Sequence, residues 1–192
     1  MTESDYVLGL MAIVSGLAIT HMIASLFGLL AEWSRVKFDW LSLTAAGTVA
    51  YYVLYGWWVT WSGFHLHTGP LPFWRFLMPM VSVTCLVLAA RAALPDLVPG
   101  AGLDLRDRYD QVGVWIWRAL LATVSISTLG VALRLYIGER FEAGAAPQGL
   151  LGLLVTILML AALSVFRSRR IHAVLVPTHL VALVAATIRQ PV

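Results

Sequence analysis

The sequence predicts an all-α fold: a polytopic integral membrane bundle of six transmembrane helices, or five if the last apolar run does not cross. Three observations predict it. Of 192 residues, 60% are hydrophobic and only 12% are charged, whereas soluble chains carry about 25% charge. Apolar runs of membrane-crossing length follow one another with short polar breaks, and mean hydropathy is +0.84. All ten acidic residues lie in tails, loops or helix ends. Six crossings of about 20 residues each use about 120 residues, and the remainder is divided among tails and loops, none of them long enough for a soluble domain. The whole chain, 1–192, is therefore expected to be one transmembrane unit.

The first run, 6–31, follows the acidic stretch Met1-Thr2-Glu3-Ser4-Asp5. It lacks the basic n-region and cleavage site of a signal peptide, so it is expected to stay in the mature protein. The second run is 40–64. The third, 73–94, stops at Pro95. Residues 95–111 combine Pro, Gly and alternating charges, which predicts a loop. The fourth run is 112–137, and a hydrophilic turn over 138–148 leads to the fifth, 149–166. After Arg167, Arg169 and Arg170 comes the sixth, 171–188, interrupted by Pro177; its alternative is a re-entrant or interfacial segment. Hydrocarbon admits only helices or closed barrels, and these runs lack the alternation of barrel strands.

With six crossings, nine basic residues fall on one side and four on the other. The first group is Arg35, Lys37, Arg91, Arg106, Arg108, Arg118, Arg167, Arg169 and Arg170; the second is Arg75, Arg134, Arg140 and Arg189. The richer side is expected to be cytoplasmic, which puts both termini in the periplasm of a bacterial cell. Trp33, Trp40, Trp115 and Trp117 fall near the inner ends, and Trp57, Trp58, Trp61 and Trp74 near the outer ends, as an aromatic belt requires. Trp57, Trp58 and Trp61 could alternatively form a cage for a cation.

Two histidines lie well inside apolar runs. His21 and His179 are each about 12–15 Å from the inner face at 1.5 Å per residue. Together with Thr20 and Thr178 they form a candidate intramembrane polar site. The pair admits three readings: interhelical hydrogen bonding, a polar constriction in a permeation path, or axial ligation of haem or metal. His179 shares a helix face with His172, and Pro177 frees the carbonyl of Ala173. His65 and His67, just past the second run, could share a surface metal only from extended backbone. Asp104, Asp107 and Asp110, interleaved with Arg106 and Arg108, suggest a self-neutralising solvated loop.

The strongest pattern is Ala12, Gly16, Thr20, Ala24 and Gly28, a small residue at every fourth position of the first run. Such a ridge lets two backbones approach closely, either within the protomer or between protomers. Ser42, Ala46 and Ala50 repeat it in the second run, and Cys85, Ala89 and Ala93 in the third.

Several function classes are excluded or disfavoured. The basic residues are scattered between apolar runs, which excludes a nucleic-acid stripe. A lone cysteine, Cys85, permits no intrachain disulfide and no thiolate cluster. No acid lies mid-membrane, so carboxylate-coupled pumping is disfavoured. H-E-x-x-H and G-x-S-x-G are absent, and an enzyme is disfavoured. No metal or cofactor is expected. The expected partners are the lipid bilayer, further copies of the chain in a homo-oligomer, and other membrane proteins.

One resemblance adds to this. Ser15-Gly16-Leu17-Ala18-Ile19-Thr20, Phe38-x-Trp40, Trp57-Trp58, Trp74 with Phe76, and Leu88-Ala89-Ala90-Arg91-Ala92-Ala93-Leu94-Pro95-Asp96 follow in order. Over roughly its first half the chain is similar to a group of small bacterial multi-pass inner-membrane proteins of unknown function. The resemblance implies a bacterial inner membrane and no particular activity. The first functional expectation is a small oligomeric channel or facilitator for an ion or small solute, lined near His21 and His179. The alternatives are a non-transporting accessory, assembly or sensor subunit, and a haem- or metal-binding membrane electron carrier.

Overall fold

A computed structural model describes residues 3–64, 71–136 and 146–188. These form α1 (Glu3–Ala31), a short 3-10 turn (Trp33–Arg35), β1 (Val36–Lys37), α2 (Trp40–Phe64), α3 (Phe73–Ala93), β2 (Leu103–Asp104), α4 (Leu105–Tyr136), α5 (Ala146–Val165) and α6 (Arg169–Ile188). The fold is helical throughout. Four of the helices, α1, α3, α4 over Leu105–Arg134, and α6, are long and apolar enough to cross a membrane.

The surface argues the same. Only 28% of the most apolar stretch of α1 is buried inside the protein, and 17% of that of α6. The remaining apolar side chains point outward, among them Ile13, Leu17, Ile23 and Phe27 on α1 and Val174 and Val181 on α6. Water-soluble monomers do not expose apolar surface on this scale; a lipid-solvated chain does so at no cost.

α2 is the hub, packing against α1, α3, α4 and α6, while α3 also packs on α1 and α4, and α5 on α4 and α6. Its residues Leu41, Ala45, Thr48, Val49 and Val53 are wholly inaccessible. α1 buries Ser4, Val7, Met11, Ser15, Ala18, Met22, Ser25 and Leu29. These steps of three and four average about 3.6 residues, the helical period, so the buried positions form one stripe along the helix.

Two helix starts are fixed by side chains. Asp39 caps α2, its carboxylate accepting from the Ser42 backbone N–H at 3.0 Å and the Ser42 hydroxyl at 3.1 Å. Asp104 caps α4 by accepting from the N–H groups of Arg106 at 2.9 Å and Asp107 at 3.4 Å. Such caps contribute about 1 kcal/mol each. The loop expected over 95–111 is therefore corrected: Leu105 onward is helix. Charged side chains do not prevent a helix whose first turns project past the apolar layer. Likewise α6 starts at Arg169, before the expected 171. α5 starts at Ala146, inside the expected turn, and the rest of that turn lies outside the described residues.

At the same end of the bundle, β1 and β2 pair in parallel, Val36 with Leu103 and Lys37 with Asp104. Arg35 donates to the carbonyls of Pro99 at 2.9 Å and Gly100 at 2.7 Å, tying the two loops together. Gly102 enters β2 with φ of 90°, and a Cβ there would stand 3.0 Å from the Arg35 carbonyl oxygen. Only glycine meets both conditions without strain.

Candidate functional site

Polar contacts concentrate along α6, whose buried face is His172, Val176 and His179. His172 Nε2 lies 2.7 Å from the Phe166 carbonyl. A carbonyl only accepts, so Nε2 carries the proton and Nδ1 is the acceptor. The Tyr109 hydroxyl donates to Nδ1 at 2.7 Å and itself accepts from Trp117 Nε1–H at 3.0 Å. The chain Trp117–Tyr109–His172–Phe166 thus runs in one direction from α4 to the start of α6. The rings of Tyr109 and Trp117 both meet His172 edge-on, with centroids 5.7 and 6.4 Å away.

One turn earlier, Arg169 pairs with Asp39, the α2 cap, and reaches Asp110 of α4 at 3.3 Å. The Ser42 hydroxyl also lies 2.8 Å from the Leu105 carbonyl, so its one proton is shared between that oxygen and Asp39. Farther along α6, His179 Nε2 bonds the Tyr52 hydroxyl at 2.9 Å, with the two rings stacked. The Tyr51 hydroxyl then meets the Thr187 hydroxyl. α6 is therefore joined to α2 and α4 by a seam of polar pairs. The void beside it, lined by Ser42, Leu105, Arg108 and Tyr109, is too narrow for a water molecule.

His21 belongs to a separate place. Its Nδ1 lies 3.2 Å from Asp96 Oδ1, and Arg91 Nη1 lies 3.6 Å from Asp96 Oδ2. Between α1 and α3, Leu17, Ala18, Thr20, His21, Val87 and Arg91 line an open cleft of about 360 Å³. His21 Nε2 is buried there without a hydrogen-bond partner.

The expected polar site is thus divided. His21 meets Asp96 and His179 meets Tyr52, and the two do not meet each other. Thr20 is exposed on the rim of the cleft. Thr178 is exposed too, and its hydroxyl returns to the Val174 carbonyl at 2.7 Å, beside the carbonyl that Pro177 frees. Trp117 is corrected from belt to core: it is wholly buried. Trp115, two residues earlier, is exposed, with the Arg118 guanidinium 5.1 Å from its ring. Trp58 and Trp61 pack on each other with centroids 5.2 Å apart. His65 and His67 lie outside the described residues. Among the described residues, no three His, Cys, Asp or Glu side chains converge closely enough to hold a metal ion.

The small-residue ridges also divide. Ser42 and Ala46 are buried and Ala50 is half-buried, while in α3 Ala89 and Ala93 are buried and Cys85 is half-buried, so these short ridges pack inside the protomer. On α1, Ala12, Gly16, Thr20 and Ala24 are exposed and Gly28 half-buried. A Cβ added at Gly16 or Gly28 would meet nothing within 4 Å. Among the described residues, no neighbouring helix covers Ala12, Gly16 or Ala24.

No family model, curated protein or solved structure matches the chain. The resemblance of its first half to small bacterial multi-pass proteins therefore stands on the quoted residues alone.

Proposed function

We propose that this chain is a non-transporting subunit of a bacterial inner membrane, working by lateral association with copies of itself and with other membrane proteins. The observation that carries the reading is the closed interior. α2 is packed on four sides by side chains, and the polar groups around it are paired off along α6. His21 and His179, the residues a channel would have shared, reach different partners. The outward ridge of α1 supports lateral association, because small residues at every fourth position suit close helix approach.

Six crossings fit this reading. α2 has 25 residues without one charged side chain, and at 1.5 Å per residue it is about 37 Å long. Its hydropathy is held down by tyrosines and tryptophans; Tyr52 is buried against His179, and the exposed Trp40 and Trp58 lie toward the two ends of the helix, where amphipathic rings are favoured. α5 contributes the apolar stretch Leu151–Val165. An even number of crossings puts both termini on one side, and the nine-to-four basic count makes that side periplasmic. A reporter fused at Val192 is expected to read periplasmic.

The test of function pairs two measurements. Liposomes holding the purified protein should pass neither ions nor small solutes. The wild-type protein should run as an assembly of fixed stoichiometry in mild detergent. Gly16→Leu should break that assembly while leaving protomer unfolding unchanged. Solute flux abolished by His21→Ala, or a wild-type protein that is monomeric and partnerless, overturns the proposal.

A further inference from the structure

The cleft between α1 and α3 is built in two levels. α1 and α3 are separated by one intervening helix, so they run in the same direction, and each contributes a residue pair four apart. His21 stacks over Leu17, and Arg91 over Val87. The level nearer the Asp96 loop is polar, with Thr20, His21 and Arg91 at the rim. The level one turn toward the middle of the bundle is apolar. Both Arg91 and Asp96 are 63% exposed. Among the described residues, Arg91 touches no polar group except Asp96, at 3.6 Å through one terminal nitrogen, so most of its donors are uncommitted. Asp96 is flanked by His21 Nδ1 and Arg91 Nη1 and leaves its outer face open. One guanidinium and one carboxylate side by side, above an apolar floor and open to the lipid side, match the two charges of a zwitterionic headgroup.

We propose that this cleft binds a phospholipid whose headgroup carries a phosphodiester and a primary ammonium. The phosphate accepts hydrogen bonds from Arg91, the ammonium donates to Asp96, and an acyl chain lies along Leu17 and Val87. The assignment rests on α1 and α3 crossing a bilayer and not on the assembly proposed above. It requires a preference for phosphatidylethanolamine over phosphatidylcholine, because three methyl groups remove every N–H that Asp96 could accept.

Native mass spectrometry of the delipidated protein, titrated with phosphatidylethanolamine, phosphatidylcholine and phosphatidylglycerol of one chain length, tests this. The first phosphatidylethanolamine should bind about tenfold more tightly than phosphatidylcholine, the effect of one charge-assisted hydrogen bond. Arg91→Gln should weaken phosphatidylethanolamine binding by about tenfold. Asp96→Asn should erase the preference between the two zwitterionic lipids while phosphate-driven binding persists. Arg118→Gln, which changes an exposed arginine away from the cleft, should alter nothing. Inorganic phosphate and soluble glycerophosphoethanolamine should not displace the lipid; displacement by either refutes a lipid occupant. Equal binding of the two zwitterionic lipids by the wild type, or an Arg91→Gln protein indistinguishable from it, also overturns the assignment. A chain that needs no detergent to stay dispersed would instead fail the membrane reading itself.

Discussion

Replacing Tyr109 by Phe removes one oxygen atom and keeps the ring. That oxygen serves two buried partners, accepting from Trp117 Nε1–H and donating to His172 Nδ1. Tyr109, His172 and Trp117 are 5%, 4% and 0% exposed, so water cannot replace it. Hydrogen bonds between membrane helices average about 0.6 kcal/mol, because the partners usually find substitutes. Here neither does, and each buried group left unpaired costs about 1–3 kcal/mol. Tyr109→Phe is therefore expected to cost about 2–6 kcal/mol. The assay is reversible unfolding in mixed micelles of mild detergent and dodecyl sulfate, followed by tryptophan fluorescence. In a His172→Leu background the same change orphans only the Trp117 N–H, so its cost should fall by about half. A loss under about 0.5 kcal/mol, or the same loss in both backgrounds, would refute the bridging role of the hydroxyl.

Two further perturbations use the same unfolding measurement. Asp39→Ala removes the α2 cap and leaves Arg169 with Asp110 alone, for an expected loss of about 1–2 kcal/mol. Asp39→Asn, which keeps a capping oxygen, should lose less than half of that, and equal losses would show that the cap contributes nothing. Gly102→Ala forces a Cβ to 3.0 Å from the Arg35 carbonyl oxygen at φ of 90°. It should cost about 1–2 kcal/mol and open the 95–104 loop to protease; an unchanged cleavage pattern would argue against the β1–β2 pairing.

The helical architecture was legible because lipid solvation leaves a long-range signature: stretches such as 6–31 are apolar on every face. What escaped was local or distant in specific ways. Arg106, Asp107, Arg108 and Asp110 look like loop by charge, yet a helix projecting past the apolar layer welcomes charge. The signal was Asp104, an N-cap residue with N–H groups to receive two and three positions on. The Tyr109–His172 contact joins residues 63 apart in sequence, and no spacing rule reaches that far. A partial hint was available, since Tyr109 and Trp117, eight apart, share a helix face and each carries one polar atom. His21 and His179 stand out in the sequence as polar residues within apolar runs, but depth alone says nothing about azimuth. Their partners, Asp96 and Tyr52, follow from which way each helix turns. The α1 ridge was visible as a pattern, while its outward direction depends on the competing seam from Ser4 to Leu29.

Arg169, His172, His179 and Thr187 of α6 meet Asp39, Tyr109, Tyr52 and Tyr51 respectively. Without α6, Tyr51 and Tyr52 would lose these partners, while Asp39 would keep Ser42 and Tyr109 would keep Trp117. Removing α6 would consequently leave two phenols with nothing but lipid to face, so α6 serves as the clasp that closes the polar side of the bundle.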